Sequence, residues 1–239
     1  MIFKNKDKEF HEKWYPARSA ANFTHPFRAV LCGPPNVGKS NIIKNILMHA
    51  NPPFEVAYLI YPGGEGKEEG DFKHKTDEYN DVENLEGLDS IPPPEFFPKA
   101  GDKKSKKTVV IIDDMALQNL PTDERKNLDR LFGTVSTHRN VSVLTTAQDW
   151  FSLPPVIRRM SNVWFVWKHR DVNSLTLIGQ KVGEDLDQLF KTIATGPYDS
   201  ICIDMTAGTP LPLRLNVFER ICTFENEKKP PSLCKRRRA

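Results

Sequence analysis

The run Gly33-Pro34-Pro35-Asn36-Val37-Gly38-Lys39-Ser40 has the residue types and spacing that suit the binding of a polyphosphate. Gly33 and Gly38 permit backbone angles closed to other residues, so amide N–H groups can turn toward phosphate oxygens. Lys39 supplies a point charge for the β- and γ-phosphates, and Ser40 supplies a hydroxyl ligand for Mg²⁺. With Asn41, these residues are the candidate nucleotide-binding set, and the nucleotide expected is ATP. Farther along, Asp113 and Asp114 close the apolar run Thr108-Val109-Val110-Ile111-Ile112. A carboxylate at such a strand end is suited to the Mg²⁺ side of a nucleotide site, and a second acid is suited to polarising the attacking water. A helix cap or a solvated pair is the alternative.

Gln148 ends another apolar run, Val141 to Ala147, where an amide could orient the γ-phosphate or the lytic water. A plain surface glutamine would occupy the same position. Arg139, Arg158 and Arg159 bracket this run, and each is a candidate arginine finger offered to a neighbouring subunit. Single arginines are more often surface or salt-bridged residues. Among the histidines, His138 alone falls near these segments in the chain, and a structural role is expected for it.

These side chains need elements to hold them. Phe27 to Cys32 is a short apolar run ended by Gly33 and two prolines, which predicts a buried strand leading into the glycine loop. Ile42, Ile43, Ile46 and Leu47 recur at helical spacing after it, and Asn51-Pro52-Pro53 stops that helix. Val56 to Tyr61, Val141 to Thr145 and Val163 to Trp167 read as further strands, and Thr108 to Ile112 as a strand buried on both faces of a parallel sheet. Pro121 to Ser136 and Glu184 to Ile193 read as helices. Ile201 to Met205 and Leu211 to Val217 flank Ala207-Gly208-Thr209-Pro210 and predict a closing β-hairpin. The order is that of an α/β layered domain with a mostly parallel central sheet flanked by helices, the RecA-like P-loop NTPase arrangement.

Residues 1–25 read as an N-terminal arm, 26–220 as the nucleotide-binding domain, and 221–239 as a basic tail that ends in Lys235, Arg236, Arg237 and Arg238. That tail suits an anion or a nuclear import receptor as partner, or no partner. Residues 62–107 change character, with glycines, three consecutive prolines and many charges, and read as a partly mobile insertion anchored by Ile91, Phe96 and Phe97. The run Lys103-Lys104-Ser105-Lys106-Lys107 within it suits contact with a polyanion or a solvated loop.

Composition narrows the setting. The chain of 239 residues is 38% hydrophobic and 27% charged, enough apolar residues for a core and too many for a disordered chain. A net charge of +3 is too small by itself to argue for nucleic acid. The four cysteines lack metal or disulfide spacing, which fits a reducing compartment. No stretch reads as a signal peptide or a membrane span, so work inside a cell is expected. Serine-hydrolase and zinc-protease signatures are missing.

Taken together, the residues resemble a known family, the genome-packaging ATPases of double-stranded DNA viruses, the poxvirus type within the FtsK/HerA branch of P-loop proteins. Four segments carry the resemblance: Gly33 to Ser40; Val109-Val110-Ile111-Ile112-Asp113-Asp114; Thr137-His138-Arg139-Asn140-Val141-Ser142-Val143 leading to Gln148; and Leu153-Pro154-Pro155-Val156-Ile157-Arg158-Arg159-Met160-Ser161-Asn162. The likeness runs from about Phe27 to Val217. It implies Lys39 as the Walker A lysine, Ser40 and Asp113 on the metal, Asp114 as the catalytic acid where many relatives carry glutamate, and Gln148 as the sensor. It implies a homo-oligomeric ring, a hexamer or pentamer. Such a ring threads double-stranded DNA without sequence preference toward a capsid or portal vertex, in the nucleus or cytoplasmic factory of an infected cell or in association with the virion. A helicase or AAA-like ATPase of viral replication, and a nucleotide-dependent assembly scaffold, remain alternatives.

Overall fold

Strands in a sheet covered on both faces are buried throughout and draw mostly on apolar residues, and three strands of the chain behave this way. The computed structural model describes residues 23–50, 53–61, 84–169, 171–209 and 212–222, with the backbone alone of Cys234–Arg236. Within it, β1 (Arg28–Cys32), β2 (Val56–Ile60), β3 (Leu85–Leu88), β4 (Thr108–Ile112), β5 (Val141–Ala147) and β6 (Val163–Trp167) run parallel in the order β6-β1-β5-β4-β2-β3. Every residue of β4, β5 and β6 is buried. β7 (Ser200–Asp204) pairs antiparallel with β6, and β8 (Leu213–Leu215) pairs antiparallel with β7, forming the expected closing hairpin. β9 (Glu219–Cys222) and β10 (Cys234–Arg236) extend this edge to a sheet of 10 strands.

Parallel neighbours need crossovers, and helices supply them. α1 (Lys39–Met48) buries Ile42, Ile43, Ile46 and Leu47 against Ala29, Leu31, Phe165 and Trp167 on one face of the sheet. The other face is covered by four helices. α2 (Thr122–Arg130) continues through a π-helical turn (Leu131–Val135) and a last turn (Ser136–His138). α3 (Pro155–Met160), α4 (Val172–Val182) and α5 (Leu186–Thr192) follow. Leu128, Ile157, Ile178, Leu189 and Phe190 from these helices share one apolar cluster with Val110, Ile112, Val143, Trp164 and Val166. Fully burying each such side chain is worth about 1.5–3 kcal/mol.

Two expected features take a more definite form. The later half of the stretch 62–107 joins the sheet: β3 pairs parallel with β2, and Ile91 and Phe97 are buried, while Phe96 stays 42% exposed. The helix predicted over Pro121 to Ser136 widens at Gly133 into the π-helical turn before it ends. Residues 1–22 of the arm, 62–83 of the insertion and most of the basic tail lie outside the described residues.

Candidate nucleotide-binding site

The loop after β1 is shaped by two left-handed residues, Asn36 at φ 60° and Gly38 at φ 95°. Gly38 is the N-cap of α1; no side chain caps this helix and its first turn carries no acid. Its first-turn amides and the positive end of its dipole therefore face the loop, as an anion site requires. Lys39 is buried and folds back, its ammonium donating to the carbonyls of Gly33 at 2.7 Å and Pro34 at 2.8 Å. Gly33 admits no side chain, because a Cβ there would lie 2.9 Å from a Trp167 ring carbon. Ser40 and Asn41 follow in the first turn of α1, half-buried and exposed.

β5 lies between β1 and β4, and it ties the two candidate segments together. The Gly33 amide donates to the Ala147 carbonyl at 3.0 Å. One residue earlier, the Thr146 hydroxyl donates to the Asp113 carboxylate at 2.8 Å and accepts the Asp114 amide at 2.9 Å. Since neighbouring strands are ~4.8 Å apart, the glycine loop and Asp113 open within ~10 Å of each other. The two aspartates are also set apart from one another. Asp113 is 2% exposed, whereas Asp114 is exposed and left-handed at φ 54°. Gln148 is exposed at the tip of β5, between the two segments.

The arginines are dispersed. Arg139 precedes β5, at the end of the sheet away from the loop, and donates to the Phe97 carbonyl at 2.7 Å. The seven residues of β5, at ~3.3 Å each, place it roughly 20 Å from Gln148. Arg158 and Arg159 lie on α3; the Arg158 guanidinium stacks 5.3 Å from the Trp150 ring centre, and Arg159 is exposed. No arginine among the three meets the glycine loop of its own chain.

Sequence reasoning passed over Thr146 and His169. His169, at the end of β6, is 8% exposed and its Nε2 lies 3.2 Å from the Cys32 carbonyl, the last before the loop. A carbonyl only accepts, so Nε2 carries the proton. Burial depresses the pKa of His169 below its ordinary value of 6.5, against the opposing bond to Cys32. Its contribution to stability is therefore complete above pH 6.5 and is lost as the pH falls below it. His169→Ala is expected to raise the KM for nucleotide roughly tenfold, since losing one hydrogen bond to a buried carbonyl costs about 1–3 kcal/mol. The effect on kcat should be smaller, and steady-state kinetics at pH 8 check this split. Cys32 itself is inert, its thiol pushed up to about 12 by burial.

The donors fit a magnesium–nucleotide. Amides without a side-chain cap, an ammonium resting on carbonyls it can exchange for phosphate oxygens, the Ser40 hydroxyl and a buried carboxylate at the end of β4 are the set such a ligand needs. Among the described residues there is no group of three or more metal-ligating side chains, so a cation here would take most of its ligands from phosphate and water.

The chain matches no protein-family model and no curated protein. Solved structures do match. The genome packaging NTPase B204 from Sulfolobus turreted icosahedral virus 2, in complex with AMPPCP, is similar over 81% of this chain and 98% of its own, at a TM-score of 0.54 and 19% identity. B204 from Sulfolobus turreted icosahedral virus, described as a DNA-packaging ATPase, is similar at a TM-score of 0.53 and 16% identity over the same shares. EssC from Geobacillus thermodenitrificans, in its ATPases 2 and 3, is similar over 80% of this chain and 39% of its own, at a TM-score of 0.51 and 11% identity. At these identities the likeness is one of fold, and the fold is that of the P-loop NTPases.

Proposed function

We propose that this protein is an ATPase of the viral genome-packaging type, a motor that hydrolyses magnesium–ATP to move double-stranded DNA into a capsid. The observation that carries the ATPase reading is the bridge made by β5: Ala147 holds the start of the glycine loop while Thr146 holds both aspartates. This brings the glycine loop, the buried Asp113, the exposed Asp114 and the strand-tip Gln148 to one edge of the sheet. The packaging reading is supported by the likeness to B204, described as a packaging NTPase and seen with a nucleotide analogue, over nearly its whole length. Affiliation with the poxvirus type rests on the sequence resemblance.

In this reading Lys39 and the loop amides would hold the triphosphate, and Ser40 and Asp113 would hold the magnesium, which would offset the phosphate charge. Asp114 draws the proton from the attacking water while Gln148 orients it. Hydrolysis at such sites is slow without an arginine from a neighbour, which is worth roughly 10³–10⁵ in rate. A ring of subunits would supply one. Arg159, exposed on α3, and Arg158 beside it are better placed for this than Arg139, whose guanidinium is engaged with Phe97. Among the described residues no helix is long and apolar enough to cross a membrane. DNA, capsid or portal partners and work in the infected cell follow from the packaging reading.

The test is ATP turnover per subunit with and without intact duplex DNA, over a wide dilution series, with the mass of the assembly measured alongside. Duplex stimulation, together with a rate that falls as the assembly dissociates, is expected. Turnover that stays flat on dilution would remove the ring. Separation of strands without movement on intact duplex would point to a helicase instead.

A further inference from the structure

The N-terminal ends of the parallel strands gather the chain segments that precede them at the edge of the sheet opposite the glycine loop. The segment 99–107 leads into β4, Glu55 into β2, His25 to Phe27 into β1, and Arg139-Asn140 into β5. Lys99, Lys103, Lys104 and Lys106 are exposed here, and Lys107 is half-buried with its ammonium 4.8 Å above the Phe54 ring.

This lysine segment has a definite shape. The Asp102 amide donates to the Lys99 carbonyl at 3.0 Å, and the Ser105 amide donates to the Asp102 carbonyl at 2.8 Å. Ala100 is tied to the end of α2 through the His138 carbonyl at 3.2 Å, and Arg139 ties the same end to Phe97. The two acids nearby are committed to the backbone: the Asp102 carboxylate accepts the Lys99 amide at 3.1 Å, and that of Glu55 accepts the Lys107 amide at 2.9 Å. Between Lys106, Lys107, Ser105, Glu55, His25 and Asn140 opens a recess of about 470 Å³.

We propose that this end of the sheet is a docking face for the phosphate backbone of duplex DNA, with Lys99, Lys103, Lys104, Lys106 and Lys107 as its cations. The proposal rests on the DNA-motor reading and places one DNA-binding surface for it. Charge decides the class of partner. Protein interfaces are depleted in lysine and enriched in aromatics, whereas the phosphate backbone is held by lysine and arginine and needs no apolar centre. Among the described residues the large exposed apolar side chains are Met48, Phe96, Phe151, Met160, Val172 and Tyr198, none of them within 99–107. Lysine–phosphate contacts carry no sequence information, so binding through them should be indifferent to sequence. It also lies across the sheet from the nucleotide, roughly 17 Å away along five-residue strands, so DNA held here leaves the glycine loop open.

The experiment uses the full chain, a short duplex of mixed sequence, and the variant K103A/K104A/K106A. These lysines are exposed and lie outside the nucleotide site, so basal turnover and thermal stability should match the wild type. Binding is read by fluorescence anisotropy across a salt series. Removing one lysine–phosphate pair should flatten the slope of log K against log salt by about 0.9, so the variant should drop by about 2–3 in slope and bind at least tenfold more weakly at low salt. Wild-type binding with an unchanged slope and affinity in the variant would overturn this face while leaving the DNA reading intact. If the wild type binds no duplex, the DNA reading itself falls, and this face with it. Competition by poly-glutamate as strong as by duplex, abolished in the same variant, would assign the face to an acidic protein.

Discussion

Lys39→Ala should reduce ATP turnover by roughly 10²–10³, the usual cost of removing one preorganised electrostatic partner of the transition state. In the structure the ammonium sits on the Gly33 and Pro34 carbonyls, at the mouth of a loop whose amides have no side-chain cap. It is a short swing from those carbonyls to the β- and γ-oxygens of a nucleotide, and no other lysine precedes it in the loop. The ground state should suffer less than the transition state. One charge-assisted hydrogen bond is worth about 1.5–3 kcal/mol, or roughly ten- to a hundredfold in magnesium–ATP affinity. Calorimetry for binding and single-turnover kinetics for chemistry separate the two effects. A scaffold that uses nucleotide as a switch would keep its assembly function in this variant. A variant that turned over ATP within a factor of a few of wild type would remove the loop from the chemistry altogether.

Strand content was legible because burial on both faces leaves little choice of residue. Val109 to Ile112 and Val163 to Trp167 could hardly be anything but interior strands, and the glycine loop announced itself by its spacing. The order of strands across the sheet was not legible, since nothing local says that β5 inserts between β1 and β4. The function of Thr146 depends on that insertion, because its partners lie 32 and 33 residues away; His169 depends on a contact across 137 residues. Adjacency along the chain does not carry over to space for Arg139, which is near Gln148 in sequence but separated from it by the full length of a strand.

Other elements carried signals that went unread. α4 buries Ser174, Leu175, Ile178 and Gly179 on one face, and the small Ser and Gly in that stripe disguise it. Yet Asp171 caps its start by accepting the Asn173 and Ser174 amides, and Gly183 ends it at φ 75°, the punctuation a helix needs. β3, Leu85-Glu86-Gly87-Leu88, pairs on one side only, and a half-exposed edge strand tolerates the Glu and Gly that disguise it.

Asp114→Asn tests the chemistry itself, and kcat should fall by about 10²–10⁴, the range for loss of a general base. The choice of asparagine matters. Asp114 has a left-handed backbone at φ 54°, which asparagine tolerates and most residues resist, so the turn and its amide bond to Thr146 should survive. Magnesium–ATP affinity should then change little, because in the proposed reading the metal-side carboxylate is the buried one of Asp113, held by the Thr146 hydroxyl and untouched by the substitution. Adjacent acids would thus separate into one that binds and one that reacts, a division set by burial: the strand end draws Asp113 inside, and the left-handed turn leaves Asp114 in water. Quench-flow of a preformed complex reads kcat, and calorimetry on the same variant reads affinity. An unchanged kcat would strip Asp114 of the base role, and weakened affinity with unchanged kcat would make it a metal-side residue after all.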